Sequence, residues 1–249
     1  MKALIFAAGK GTRLRPLTDT MPKALVPVGG KPMLEHVILK LKAAGFDRIA
    51  INIHHLGEQI LDFLRANQNF GVEIYISDER DYLLDTGGGI KKAEPFLRGN
   101  EPFLVHNVDI LSNIDLLKLY QLHLDNPKAL ATLLVSKRKT SRYLLFNKEN
   151  QLCGWRNRET GEVKSYYPYF DPAQYNEFAF SGIHVISSEI FKWMDEWTGK
   201  FPIINFYLSI CARTKIMAFP AEHLEIIDVG KPETLRIADE WLAHEPDIL

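Results

Sequence analysis

The chain has little of what marks several large protein classes. Only two cysteines occur in 249 residues, Cys153 and Cys211, and they show no C-x-x-C spacing. That excludes a disulfide framework and a cysteine zinc site, fits a reducing compartment, and leaves both thiols as packing residues. Charge of one sign is not in excess either. With a formal net charge of -1 there is no electrostatic footprint for nucleic acid or an anionic membrane, so any phosphate must be held by a local basic site. No apolar run reaches membrane length and no cleavable apolar leader precedes the first strand, so a cytoplasmic protein is expected. Internal repeats, low-complexity segments and linkers are missing too. With 46% hydrophobic residues the chain can bury a full core, and a single domain over residues 1–249 is expected.

What is present begins at an apolar strand, Lys2 to Phe6, running into Ala7-Ala8-Gly9-Lys10-Gly11-Thr12-Arg13-Leu14. Glycines let backbone N–H groups approach an anion closely, Thr12 adds a hydroxyl and Arg13 a charged fork, so the turn suits phosphate. A dinucleotide fingerprint needs a third glycine where Leu14 stands, and a P-loop needs G-K-[ST] after four spacer residues; both are excluded. A second basic element, Pro22 to Pro32, carries Lys23 on a loop stiffened by prolines and glycines.

The two elements read L-I-F-A-A-G-K-G-T-R-L-R-P-L-T and P-K-A-L-V-P-V-G-G-K-P. Together they resemble the two-part signature of the sugar-1-phosphate nucleotidyltransferases. The resemblance implies an enzyme with a Rossmann-like, mostly parallel central sheet flanked by helices and a small antiparallel sugar-binding extension. It places the nucleotide-binding part at about residues 1–128 and the sugar-binding part at about 129–249. Arg13 and Lys23 would be catalytic; Ala7, Ala8, Gly9, Gly11 and Thr12 would bind nucleotide.

Periodicity along the chain agrees with such an α/β plan. A helix from Met33 ends near Gly45, and a strand Ile49–Ile53, a helical stretch Ile60–Leu64 and a strand Val72–Ile76 alternate as βαβ units do. His54 and His55 end the second strand and read as hydrogen-bonded or solvated loop residues. Three glycines, Gly87 to Gly89, stand before a predicted helix Ile90–Phe96 and imply close approach to backbone. In the family this place resembles L-G-T-A-G, whose backbone lies against the nucleobase, with Asp85 here where glycine is usual. Thr86, Gly87 and Gly88 are therefore expected to bind nucleotide. Glu79 is either an acceptor for an N–H of the base edge or a solvated charge.

Phe103 to Ile110 is an apolar strand with a polar tip, where the carboxylate of Asp109 can bind a metal. It resembles the family's N-G-D element, with Val108 in place of glycine, and by that resemblance Asn107 faces the sugar. From Leu130 the pattern turns to short strands, Ala131–Val135, Tyr143–Phe146 and Leu152–Trp155, which suggests an antiparallel extension. Tyr166 to Pro172 reads as a loop whose aromatics pack on that extension. Phe178 to Ile186 is a strand with Ser181 and Gly182 at its centre, which suggests either close ligand approach or a β-bulge. It resembles the family's F-S-G-I element, which implies sugar binding. Asp228-Val229-Gly230-Lys231-Pro232-Glu233 resembles the D-[VIT]-G-[TK]-P-E element, whose aspartate is the second Mg²⁺ ligand, and a final amphipathic helix follows.

The implied reaction joins a nucleoside triphosphate and a sugar-1-phosphate, with Mg²⁺ on Asp109 and Asp228, in a monomer or small homo-oligomer without nucleic-acid or membrane partners. Uridylyl transfer to N-acetylmuramate-1-phosphate is the expectation, from the chain length and the L-x-T-G-G-G-I element. Mannose- or heptose-1-phosphate guanylyltransferases, phosphocholine cytidylyltransferases and a non-catalytic nucleotide-sugar sensor stay open.

Overall fold

A computed structural model describes residues 1–244. The chain begins with β1 (Lys2–Phe6), the one-turn helix α1 (Leu17–Thr20), a small ladder of β2 (Pro27–Val28) with β3 (Lys31–Pro32), and α2 (Met33–Ala43). Next come β4 (Arg48–Ile53), α3 (Gly57–Ala66), β5 (Glu73–Asp78), α4 (Asp85–Lys92), α5 (Glu94–Leu97), β6 (Phe103–Asn107), β7 (Ile110–Ser112) and α6 (Leu116–Leu124). The remainder comprises β8 (Ala129–Ser136), β9 (Arg142–Phe146), β10 (Leu152–Asn157), β11 (Val163–Lys164), β12 (Asn176–Ile186), α7 (Ile190–Trp193), α8 (Ile203–Ile210), β13 (Lys215–Pro220), β14 (Ile226–Asp228) and α9 (Pro232–His244).

Strands β6, β1, β4 and β5 lie side by side and parallel. The sheet continues through β12, which is antiparallel to β6, into β9, β10 and β11 on one branch and β8 with β13 on the other. The parallel sheet and its antiparallel extension are thus one continuous surface, and β12 is the seam. Side chains alternate across β1, so Ala3 and Ile5 pack in the same cluster as residues of α2, α3 and α6. Leu4, facing the other way, joins Ile90 of α4 and Phe206 and Tyr207 of α8. Burial on both faces is why β1, β4 and β6 read as near-continuous apolar runs.

Several expectations need correction. Helix α4 starts at Asp85 rather than Ile90, so all three glycines lie inside it, and it stops at Lys92, with Glu94–Leu97 forming a separate turn around Pro95. Asp109 is not in a strand; it follows Val108 in the turn between β6 and β7. In the Tyr166–Pro172 loop, Tyr167 donates its hydroxyl to the Cys211 carbonyl at 2.9 Å and Phe170 stacks on Tyr175, while Tyr166 and Tyr169 are exposed. Both cysteines are free and buried.

Candidate functional site

Strand register builds the site. Phe6, the last residue of β1, pairs with Asn52 of β4 on one side and Asn107 of β6 on the other. The loops leaving these three strand ends therefore converge, which is where ligands bind in open α/β sheets. A cavity of about 340 Å³ opens there, lined by Gly9, Lys23, Asp85, Thr86, Asp109 and Lys200 among others.

On the phosphate side, Gly11 adopts a left-handed conformation with φ of 63°. Its carbonyl accepts from the Leu14 amide at 2.8 Å and from the Thr18 hydroxyl at 2.8 Å. A Cβ on Gly11 would stand 2.7 Å from Thr18 Cγ2 and 3.0 Å from Lys23 Cβ, so glycine is what lets the second basic element close on the first. The amides of Gly9, Lys10 and Gly11 have no hydrogen-bond partner among the described residues and remain free to donate to an anion. The amides of Ala7 and Ala8 donate inward to Asn52 Oδ1, at 2.6 and 3.1 Å, so neither N–H is free for an anion, while Ala8 lines the cavity.

Lys23 is buried and forms an ion pair with Asp109. The antiparallel ladder of β7 with β14 sets Asp228 opposite Ile110, and the Val229 amide donates to the Asp109 carbonyl at 2.8 Å. Two carboxylates far apart in sequence are thereby brought together. Although Asp228 reaches solvent, its carboxyl is raised above the usual range, first by desolvation and then by the Asp109 charge, with Lys23, Arg13 and Arg138 pulling the other way. Arg13 stands over Gly230, where a Cβ would lie 2.6 Å from its Nη2 and 2.8 Å from Asp228 Oδ1. No cluster of three or more His, Cys, Asp or Glu side chains with metal-ligand geometry occurs among the described residues. A pair of adjacent carboxylates still fits Mg²⁺, which takes one or two from protein and fills its octahedron with water and substrate phosphate oxygens.

On the opposite wall, the glycines expected to face a base are occupied by protein. The Gly87 and Gly88 amides donate to the Phe201 carbonyl at 2.9 and 3.2 Å, and a Cβ on Gly87 would collide with the Phe201 ring. The Thr86 hydroxyl accepts from the Ile203 amide at 2.9 Å and so secures the start of α8. Glu79 is fully buried; Oε1 accepts from Asn52 Nδ2 at 2.9 Å and Oε2 from the Leu84 amide at 3.0 Å. It is not a solvated charge: it lines the cavity with both oxygens already engaged by protein donors. Asp85 lines the cavity with φ of 62°, a left-handed conformation natural to the glycine usual in the resembling motif.

The sugar-side expectations divide. Asn107 lines the cavity. Gly182, with φ of 74°, lies in a register shift of β12 against β8, and a Cβ there would stand 2.7 Å from Asn107 Nδ2. The bulge is present, and the close neighbour of Gly182 is the Asn107 side chain on the cavity wall. Ser181 is buried with its hydroxyl unpartnered among the described residues. His54 and His55 bond to the carbonyls of Glu79 and Thr18 at 2.8 and 3.3 Å, as loop-fixing residues.

Three contributors escaped the sequence reading. Asn52 could have been noticed as an amide in the apolar strand Ile49–Ile53. Gly230 sits in a quoted motif, yet its contact with Arg13 requires the fold. Lys200 reaches the cavity because the loop before α8 packs on α4, which no local pattern records.

Free amides, a buried lysine, an arginine and two carboxylates thus converge beside the carboxyl ends of β1 and β6, Asp228 reaching them from the β7–β14 ladder. Residues 2–194 match the family described as nucleotidyl transferase, and the chain belongs to it. An N-acetylmuramate alpha-1-phosphate uridylyltransferase of Neisseria meningitidis serogroup B is 50% identical over 121 residues, 49% of this chain and 52% of that protein. The match therefore spans about half the length of that relative. The protein of the same description from Caulobacter vibrioides is 29% identical over 251 residues, 97% of each chain. A mannose-1-phosphate guanyltransferase of Yarrowia lipolytica is 39% identical over 139 residues, 55% of this chain and 38% of that protein. Among solved structures, a putative glucose-1-phosphate thymidylyltransferase from Bacillus anthracis superposes with a TM-score of 0.79 at 24% identity, covering 97% of this chain and 94% of that one, which establishes the shared fold. No helix of the described residues is long and apolar enough to cross a membrane.

Proposed function

We propose that this chain transfers a nucleotidyl group from a nucleoside triphosphate to a sugar-1-phosphate, releasing pyrophosphate. The observation that carries the reading is the convergence of Arg13, Lys23, Asp109 and Asp228 beside the free amides of Gly9 to Gly11. In this reading a phosphate oxygen of the sugar attacks the α-phosphorus in line, and the protein's task is to position two anions and offset added charge. The amides and Arg13 hold the leaving β- and γ-phosphates. Lys23 exchanges its Asp109 partner for phosphate oxygens near the reacting centre. Bound Mg²⁺ would supply countercharge at the α-phosphate, held by Asp109 and Asp228. A phosphate monoester is nucleophilic near neutral pH, so no general base is required.

For the substrates, the proposal is UTP with N-acetylmuramate-1-phosphate. Its support is the similarity to two proteins so described, one along nearly its full length. Asp85 adds to it by placing a side chain on the base wall where the resembling motif has none, which favours the smaller pyrimidine. The antiparallel extension would receive the sugar. Pyrophosphate release over four nucleoside triphosphates and a panel of sugar-1-phosphates tests the assignment. UTP with N-acetylmuramate-1-phosphate is expected to give the highest kcat/KM, whereas GTP with mannose- or heptose-1-phosphate doing so would replace it.

A further inference from the structure

The base-side wall and the phosphate turn are joined by one buried chain of hydrogen bonds. It runs from the Leu84 amide to Glu79 Oε2, from Glu79 Oε1 to Asn52 Nδ2, and from Asn52 Oδ1 to the amides of Ala7 and Ala8. Asn52 is 3% exposed and Glu79 is 0% exposed, so no bond in this chain can be exchanged freely for water. The polarity is fixed at both ends. Two backbone donors at Ala7 and Ala8 can face only the carbonyl oxygen of Asn52, which turns its NH₂ toward Glu79. Glu79 must then accept from that NH₂ and from the Leu84 N–H at once, one on each oxygen, which a carboxylate does and a carboxamide cannot. Gly89 keeps the space open, since a Cβ there would stand 3.0 Å from Glu79 Oε1 and 3.4 Å from Asn52 Nδ2.

We propose that Asn52 and Glu79 are positioning residues that lock the phosphate turn to the base-side loop, so that the free amides of Gly9 to Gly11 are held for an anion beside the cavity only while this relay is intact. The relay gives Asn52 and Glu79, both on the cavity wall, and the amides of Ala7 and Ala8 a mechanical role. Leu84 adjoins Asp85 on the cavity wall, so a base seated there and a polyphosphate seated on the turn are held by the same set of bonds. The inference depends on the nucleotidyl-transfer reading only where turnover is measured.

The test uses the polarity. In Glu79→Gln one donor must face another donor, at Asn52 or at Leu84; in Asn52→Asp two carboxylates face each other. In the double variant N52D/E79Q every bond returns: the introduced aspartate accepts from the Ala7 and Ala8 amides and from the NH₂ of the introduced glutamine, whose oxygen accepts from the Leu84 amide. Calorimetric titration with inorganic tripolyphosphate and Mg²⁺ reads the turn directly. Each single variant is expected to weaken tripolyphosphate binding by at least about tenfold, and the double variant to return within about threefold of the parent chain, as a restored buried hydrogen-bond set requires. In turnover assays the triphosphate KM should follow the same order while the sugar-1-phosphate KM stays within about twofold, a split that general loosening of the fold would not give. If the singles fail to fold, a folded double variant with parental tripolyphosphate affinity upholds the relay. Unchanged affinity in a folded single variant, a double variant no better than the worse single, or failure of all three to fold overturns it. A parent chain that binds tripolyphosphate yet turns over no substrate pair would instead count against the proposed reaction and leave the relay standing.

Discussion

The ammonium of Lys23 is paired with the carboxylate of Asp109, two residues that belong to different loops and meet only because β1 and β6 end side by side. Lys23 is 7% exposed, so its partner is chosen by the fold rather than by solvent. Truncating it removes a cation beside the proposed site of nucleotidyl transfer and leaves Asp109 without its counterion. Lys23→Ala should lower kcat by about two orders of magnitude, near 3 kcal/mol of transition-state stabilisation, with a smaller rise in KM. Steady-state kinetics showing an effect on KM alone would make Lys23 a binding residue only.

Asp228 adjoins Asp109 through the β7–β14 ladder, an arrangement in which like charges repel unless a cation lies between them. Asp228→Asn removes that repulsion. In metal-free buffer the variant should melt at the same temperature as the parent or higher, while turnover falls at least about a hundredfold. A variant that is destabilised without Mg²⁺, or that keeps full activity, would contradict the role given to this carboxylate.

Asp85 holds φ of 62° on the cavity wall and accepts from the Thr86 amide at 2.7 Å. Glycine adopts this conformation without strain, so Asp85→Gly should fold, and it enlarges the space beside the base. The ratio of kcat/KM for GTP to that for UTP should rise by about tenfold, on the order of one side chain's steric exclusion. An unchanged ratio would place the purine–pyrimidine choice elsewhere.

How much of this was open to sequence reasoning follows the range of each contact. The phosphate turn, the Lys23 loop and the two aspartates sit in local motifs, and resemblance to the family's elements was enough to group them, although Asp228 reaches the others through the separate β7–β14 ladder. Gly87 and Gly88 announce close packing, but the group that packs is the segment Gly199–Phe201, a partner no periodicity names. Glu79 shows the same limit. Its neighbours in sequence, Asp78 and Arg80, suggest an exposed charged loop, whereas its bonding partner Asn52 lies on the preceding parallel strand. Register decides Gly182 as well, since a bulge is a relation between two strands.

Burial also sets a pH dependence. The imidazoles of His106 and His123 are pushed down to about 4 and that of His184 to about 3, in each case chiefly by desolvation. The unfolded chain takes up protons at these positions near pH 6.5 while the folded chain keeps them neutral. Their contribution is complete above about pH 6.5 and is lost as pH falls toward 4, by roughly 2 kcal/mol for each histidine at pH 5. Urea unfolding at pH 7.5, 6 and 5 should show that decline, and equal stability at all three would show that these rings are protonated in the fold.

The proposed reaction moves an intact nucleotidyl group onto a sugar phosphate. Supplying UTP labelled at the α-phosphorus, N-acetylmuramate-1-phosphate and Mg²⁺, and following label and pyrophosphate together, tests it most directly. One pyrophosphate is expected for each α-label transferred into the nucleotide sugar, and neither product when the sugar phosphate or Mg²⁺ is left out. Label released as free UMP, or pyrophosphate formed at the same rate without the acceptor, would contradict it.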